Sequence, residues 1–517
     1  MSNKTVKNVG IIIGCSVVAK ILSYIWEATL AALLGASDQA DAFYMTTSIF
    51  GILYPILDLG IWKVFLPAYK KRLVGKEESK AEMIANISVT LFFTLSVALV
   101  LFLIVCARPL VAVMAQGFDP EKAEMTVEYL RISAPTYLLM AVASVVGAML
   151  QSRERFLGSQ IREIGTHLSK IIYIFITFKF FGIYAAVTAM IIGSIFRLLI
   201  QLPFINWKWR FRPDFRFRDK DIVPMIKGLP SVAVTAAIGH INGMIDKMVA
   251  SGAESGSVAC LNYGHKLVNI FSGVISAAIS TAVYPMMIHH IAKKESDRLR
   301  ELLNNVVCSL MLFIIPISLF CALFSNELVT AAFERGAFDA SATVLTAEVF
   351  VGYSVGMLAG GVAAVITNVF YGYGDTRITM YISIANIVLN IIFDLVFYQF
   401  WGVAGLAYAT SVSAIICLII RFIYLRKYIR IGYGGLLLEG LKIAAISVVA
   451  CVVPYLIFGR LVHLNVYLSL IISAVLSVGI YLLAAFLLRI RSLEFVWSLI
   501  RNRVKKENTD DVTGEDM

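Results

Sequence analysis

Stretches of about 20 apolar residues, divided by short polar connections, recur along this chain and leave a lipid bilayer as the one solvent in which it can fold. The first runs from 9 to 34 and the last from 465 to 488. Inside a bilayer no water satisfies backbone N–H and C=O groups, so a segment must bond to itself as a helix or close into a barrel. The strict alternation of a barrel strand is absent, and helices follow. Between the first and last runs, spans are expected at 43–68, 84–107, 127–150, 164–180, 182–206, 226–250, 262–288, 303–324, 344–370, 379–399, 401–425 and 439–458, about fourteen in all. Composition agrees: 59% of the 517 residues are hydrophobic and 15% charged, whereas a soluble chain is about a quarter charged.

The net charge of +11 could suggest nucleic acid. Its placement argues against that, because the cations gather in every second connection. Lys70, Lys71, Arg72, Lys76 and Lys80 follow the second span, Arg153, Arg155 and Arg162 the fourth, and Lys208, Arg210, Arg212, Arg216, Arg218 and Lys220 the sixth. Lys293, Lys294, Arg298 and Arg300 follow the eighth, Arg377 the tenth, and Arg426, Lys427 and Arg430 the twelfth. A polar tail holds Arg489, Arg491, Arg501, Arg503, Lys505 and Lys506, while the alternate connections are short, neutral or acidic. An excess of lysine and arginine marks the cytoplasmic side, so both termini are expected there. The seven cysteines show no paired spacing and read as small membrane hydrophobes.

Gln116-Gly117-Phe118-Asp119 after the third span is echoed by Arg335-Gly336-Ala337-Phe338-Asp339 after the ninth. Six helices separate the two turns, so they share a membrane side and the halves are parallel repeats. The expected fold is an all-α polytopic membrane protein of two six-helix lobes plus two C-terminal helices. Its divisions are 1–206, a basic cytoplasmic linker at 207–225, a second lobe at 226–430, two added helices at 431–490 and a cytoplasmic polar tail at 491–517.

Charges inside spans are costly and mark candidate sites. Lys20 and Glu27 are two helical turns apart in the first span, so they share a face and could line one cavity. Asn390 and Asp394, at an i,i+4 spacing in span eleven, could combine with Thr410 of span twelve and Asp246 of span seven into an oxygen shell for sodium, or Asp394 could carry a proton. Arg197 and Arg421 stand near cytoplasmic span ends and are expected to snorkel. No Walker loop, HExxH pattern or nucleophile elbow is present, so no hydrolase site and no organic cofactor is expected.

Phe333-Glu334-Arg335-Gly336-Ala337-Phe338-Asp339 resembles a signature of the MurJ/MviN family of bacterial lipid II flippases. So do Phe370-Tyr371-Gly372-Tyr373-Gly374-Asp375-Thr376-Arg377, Leu261-Asn262-Tyr263 and Asp41-Ala42-Phe43-Tyr44. The resemblance implies the multidrug/oligosaccharidyl-lipid/polysaccharide transporter fold, a cationic cavity, and transfer of an undecaprenyl-diphosphate-linked peptidoglycan precursor to the outer leaflet. Where the family carries arginine, arginine and aspartate in span one, this chain has Lys20, Trp26 and Glu27. A family arginine of span two falls at Tyr54, with Asp58 and Lys63 nearby. The family's aspartate and arginine of span eight become His265 and Lys266. On this reading Lys20, Glu27, Asp41, Asp58, Lys63, His265 and Lys266 are the candidate cavity residues. Lysine keeps the countercharge a diphosphate needs and gives up the bidentate fork of arginine. The expected partners are a lipid-linked diphosphate glycan, membrane lipids and cell-wall synthesis proteins. Alternatives at this point are another polyprenyl-diphosphate glycan, a cation-coupled exporter, or a membrane scaffold for envelope synthesis.

Overall fold

The computed structural model describes residues 3–205, 207, 209–429, 431–461, 465–488, 490 and 493. Lys208, Arg430, Arg489, Arg491 and the polar tail with Arg501, Arg503, Lys505 and Lys506 lie outside the described residues. Among the described residues there are helices and no strands. In order they are α1 (Asn3–Leu34), α2 (Asp38–Gly60), a π-helical turn (Ile61–Phe65), α3 (Leu66–Val74), α4 (Glu78–Met114), α5 (Pro120–Ser133), α6 (Thr136–Ser152), α7 (Phe156–Phe181) and α8 (Ile183–Leu199). A 3₁₀ turn (Leu202–Phe204) precedes α9 (Val223–Ala250), α10 (Ser257–Ala292), α11 (Ser296–Leu323), α12 (Ser325–Phe333), α13 (Ala340–Gly372), α14 (Thr376–Leu425), α15 (Tyr433–Leu461) and α16 (Val466–Leu487).

Ten of these helices are long and apolar enough to cross a membrane, or eleven if α5 and α6, bent by 43° at their junction, count as one span. The sequence reading expects fourteen. Two expected spans, 379–399 and 401–425, run together as α14, which breaks at Gly402 (φ 53°, ψ −137°). Two others are α9 and α10, helices of 28 and 36 residues that are not among the ten.

Gly402 has a counterpart. Gly182, between α7 and α8, adopts φ 52°, ψ −132°, and each glycine follows two aromatic residues, Phe180-Phe181 and Phe400-Trp401. A side chain avoids that backbone conformation, so glycine at both places reports one hairpin geometry used twice. The polar connections repeat as well. Glu77, Arg155, Glu295 and Asp375 each donate their N–H five residues back, to the carbonyls of Arg72, Leu150, His290 and Phe370 at 2.9–3.0 Å. The residue before each is left-handed: Lys76 (φ 57°), Glu154 (61°), Lys294 (57°) and Gly374 (75°). These are four Schellman caps, of which one carries the glycine the motif favours.

By packing, the chain falls into two units, Met1–Tyr263 with Arg335–Ala342, and Gly264–Glu334 with Thr343–Met517. The repeat describes how the sequence is duplicated, whereas these units describe which residues touch. In unit one α1 packs on α7, α2 on α9, α4 on α6, and α7 on α8. In unit two α15 packs between α11 and α16, and Leu312, Ile443, Ile446, Ala450, Tyr481 and Ala485 form a buried seam.

Helix starts follow local chemistry. Asp119 precedes Pro120, which needs no N–H, and its carboxylate accepts the Lys122 N–H at 2.8 Å. Asp339 accepts the Ala342 N–H at 2.9 Å in the second copy of that turn. Each copy also contains a tight glycine. A Cβ on Gly117 would lie 2.2 Å from Gly252 Cα, and one on Gly336 (φ 64°) would lie 2.2 Å from the Ala32 carbonyl oxygen. The next N–H, of Ala337, donates to that same carbonyl at 2.8 Å.

Candidate functional site

The polar residues of unit one form three groups. Along α1, Lys20 is exposed and Glu27 is buried, although a seven-residue spacing puts them on one face. The difference runs along the helix axis, since residues from Trp26 onward are packed by neighbours and those around Lys20 are not. Glu27 accepts a hydrogen bond from Tyr44 Oη at 2.9 Å, and the Tyr44 ring meets Tyr263 edge-on at 5.2 Å. Trp26, where the family resemblance puts an arginine, is covered by a cation from another helix: Lys170 Nζ of α7 lies 4.3 Å from its ring centroid.

A second group surrounds Asp58. One of its carboxylate oxygens accepts from Tyr54 Oη at 2.9 Å, Ser144 Oγ at 2.5 Å and Trp62 Nε1 at 3.2 Å. Tyr54 Oη is in turn approached by Arg197 Nη2 at 3.3 Å. Arg197 donates to Glu163 from both Nη atoms, at 2.9 and 2.8 Å, and Arg162 Nε lies 3.6 Å from the same carboxylate. The Arg162 guanidinium lies 4.9 Å from the Trp62 ring centroid, and its Nη1 is shielded from solvent without a hydrogen-bond partner among the described residues. The expectation that Arg197 snorkels is therefore corrected: it is 4% exposed. Snorkelling serves a cation with no counter-ion at its own depth, and Glu163 supplies one. Arg162, expected among the topology charges of a connection, sits within α7. The guanidinium missing at Tyr54 thus has a replacement delivered through space from α8. Lys63 lies in the π-helical turn just beyond Asp58 and is exposed.

Asp41, a candidate cavity residue, is 1% exposed and fully engaged. It accepts the N–H groups of Gly256 and Ala259 at 2.8 Å each, capping α10, and Lys122 Nζ stands 3.2 Å away. Lys122 also pairs with Asp38. Nearby, Lys247 Nζ donates to Ser48 Oγ at 2.8 Å and Asn262 Oδ1 at 3.1 Å. Asp246 is buried on α9.

In unit two, His265 is exposed and meets the Tyr353 ring at 5.1 Å, while Lys266 is half-buried. Asn390 Nδ2 donates to Asp394 Oδ1 at 3.2 Å and to Thr410 Oγ1 at 3.3 Å, and both Asn390 and Asp394 are fully buried. Three of the four expected ion ligands therefore form a bonded set in unit two, and Asp246 belongs to unit one. Arg421 is half-buried in α14. Among the described residues no group of three or more His, Cys, Asp or Glu side chains could hold a metal ion, which leaves neutral oxygens around a single carboxylate as the donor chemistry present. The turn after α13 is ordered by Asp375, which accepts from Ile378 N–H at 3.2 Å and from Tyr428 Oη, with Tyr428 stacked on Tyr373 at 4.7 Å.

The sequence model of the lipid II flippase MurJ family matches residues 30–487. The chain belongs to this family. Among MurJ relatives, the probable lipid II flippase MurJ of Buchnera aphidicola subsp. Baizongia pistaciae is 26% identical over 407 residues, covering 77% of this chain and 79% of that protein. The probable lipid II flippase MurJ of Borreliella burgdorferi is 26% identical over 448 residues, covering 85% and 87%. A solved lipid II flippase MurJ in an inward closed conformation superposes with a TM-score of 0.79 at 19% identity, covering 92% of this chain and 98% of that one. An inward-facing multidrug resistance MATE family transporter reaches 0.68 at 16% identity, covering 79% and 94%. The MurJ and MATE likenesses establish the transporter fold, and MurJ membership with the apolar helices makes this a bacterial inner-membrane protein.

Sequence reading of this MurJ chain missed Arg162, Glu163, Lys170, Arg197 and Lys122. A signal for two of them existed: Arg162 and Lys170 recur with Thr166, Ser169 and Tyr173 at helical spacing on one side of α7. Starting that span at 164 hid the stripe.

Proposed function

We propose that this chain carries the headgroup of lipid II from the inner to the outer leaflet by alternating access of its two repeats, without covalent chemistry. Membership of the lipid II flippase family over residues 30–487 carries the reading. A diphosphate crossing a low-dielectric region needs countercharge, and Lys20 of unit one and Lys266 of unit two are the cations the reading assigns to it. Both termini are placed in the cytoplasm, supported by the basic residues in the connections that carry the four Schellman caps. Coupling is assigned to the Asn390, Asp394 and Thr410 set, with sodium preferred over a proton because two neutral oxygen-bearing side chains accompany one acid.

The test is headgroup accessibility in vesicles holding the purified chain and lipid II. Wild type should expose lipid II on the far leaflet, with a rate that rises with sodium. Lys20→Gln together with Lys266→Gln should slow it at least tenfold, and Asp394→Asn should abolish the sodium dependence. Transfer of a different polyprenyl-diphosphate glycan in place of lipid II would overturn the substrate, and an unchanged rate in the double variant would overturn the role of the lysines.

A further inference from the structure

α11 and α15 lie side by side in unit two, sealed at mid-length by the apolar seam and by Tyr481 Oη, which donates to the Leu312 carbonyl at 2.6 Å. Toward the first turns of both helices the seam opens into a pocket of about 390 Å³. Its polar lining includes Asp297, Arg300, Glu301, Asn304 and Asn305 of α11 and Glu439 of α15. The α15 side is kept low by glycines. A Cβ on Gly435 would meet nothing within 4 Å, and one on Gly432 would come 3.5 Å from Arg300 Nη2, so the guanidinium lies across that backbone.

The chemistry of the lining is mixed. One guanidinium offers a fork suited to a phosphate. Around it stand three carboxylates, of which Glu439 is 9% exposed and lies one turn before Lys442 on α15. Asn304 Oδ1 is shielded from solvent and accepts no hydrogen bond from the described residues. A buried acceptor of that kind calls for a donor. A ligand with a phosphate at one end and a primary ammonium at the other meets both demands, since the ammonium brings three N–H donors and a positive charge. A choline headgroup does not, because its quaternary nitrogen has no N–H. The pocket also sits where such a group is found. It occupies the opening turns of two helices whose later residues are apolar, and Asp297 to Asn304 descends about 10 Å along α11. That is the depth over which a headgroup, and not an acyl chain, reaches in from a bilayer surface.

We propose that this pocket binds the phosphoethanolamine headgroup of a phospholipid, with Arg300 taking the phosphate and Glu439 and Asn304 the ammonium. The leaflet is the cytoplasmic one, a clause that rests on the orientation proposed above. Neither the candidate lysines nor the Asp394 set contributes to its lining.

Native mass spectrometry of the full, delipidated chain in detergent tests it, with dioleoyl phosphatidylethanolamine and dioleoyl phosphatidylcholine added at equal concentration. Wild type should bind the ethanolamine lipid about tenfold more tightly. Glu439→Gln should reduce that preference to less than twofold, and so should Gly435→Trp, which fills the mouth from a position where a side chain meets no neighbour. Should Glu439→Gln fail to accumulate, Gly435→Trp decides alone. Equal binding of the two lipids by wild type would overturn the proposal, as would a preference that survives Gly435→Trp. Water-soluble glycerophosphoethanolamine competing as well as the intact lipid would overturn the lipid as its source.

Discussion

Replacing Arg197 by methionine keeps most of the side chain's volume and removes its charge from a position 4% exposed. Glu163 then loses two charge-assisted hydrogen bonds, and Tyr54 loses the guanidinium at 3.3 Å. Breaking a buried pair from one side costs about 3–5 kcal/mol, most of it for the charge left behind. Two features lower that figure here. The Glu163 side chain retains 38% of its surface, and Arg162 remains 3.6 Å away. An expected loss of about 2–3 kcal/mol results. Arg197→Met with Glu163→Gln removes both charges together, so the double variant should be more stable than Arg197→Met alone, by about 1 kcal/mol or more. Urea unfolding in detergent, followed by tryptophan fluorescence, gives the stabilities of wild type, Arg197→Met, Glu163→Gln and the double variant. Arg197→Met as stable as wild type, or a double variant that loses the sum of the two single losses, would refute a buried, mutually dependent pair.

Gly336→Ala should cost more than about 2 kcal/mol, because it combines a left-handed backbone with a Cβ at 2.2 Å from the Ala32 carbonyl. Limited proteolysis of the 335–342 segment should report the loss. At the Schellman caps, Lys294→Gly should raise the unfolding midpoint and Gly374→Ala should lower it, each by about 1 kcal/mol, since a side chain at positive φ costs that much. Opposite signs are the diagnostic result. The Ala342 N–H and the Ser341 hydroxyl hold the Asp339 carboxyl below the usual carboxylate range. Because the folded value is depressed, its contribution is complete above about pH 4 and fades as pH falls through the folded value. Amide exchange at residues 340–343 should therefore quicken in acid for wild type, and Asp339→Asn should flatten that dependence.

Hydropathy and loop charge are properties of the chain in one dimension, which is why the helices, their repeat and the family were legible before any coordinates. The Gln116 and Arg335 turns were readable for the same reason. What escaped was the partner across space. Arg197 and Glu163 are 34 positions apart, and nothing in either neighbourhood names the other. Asp41 looked like a cavity carboxylate, yet it caps a helix that begins more than two hundred residues later. Lys20 and Glu27 were placed on one face by spacing, which is silent about how far along a helix its neighbours reach.

The network around Asp58 has an electrical consequence. Arg162 and Arg197 stand against Glu163 and Asp58, two formal positive charges against two formal negative ones. Moving a neutral set through the transmembrane field does no net work, whereas one unbalanced charge does about 2.3 kcal/mol per 100 mV. Unit one can therefore shift these residues in the bilayer without the voltage either driving or resisting them. The field acts instead on exposed cations such as Lys20, which no such anion balances within this set.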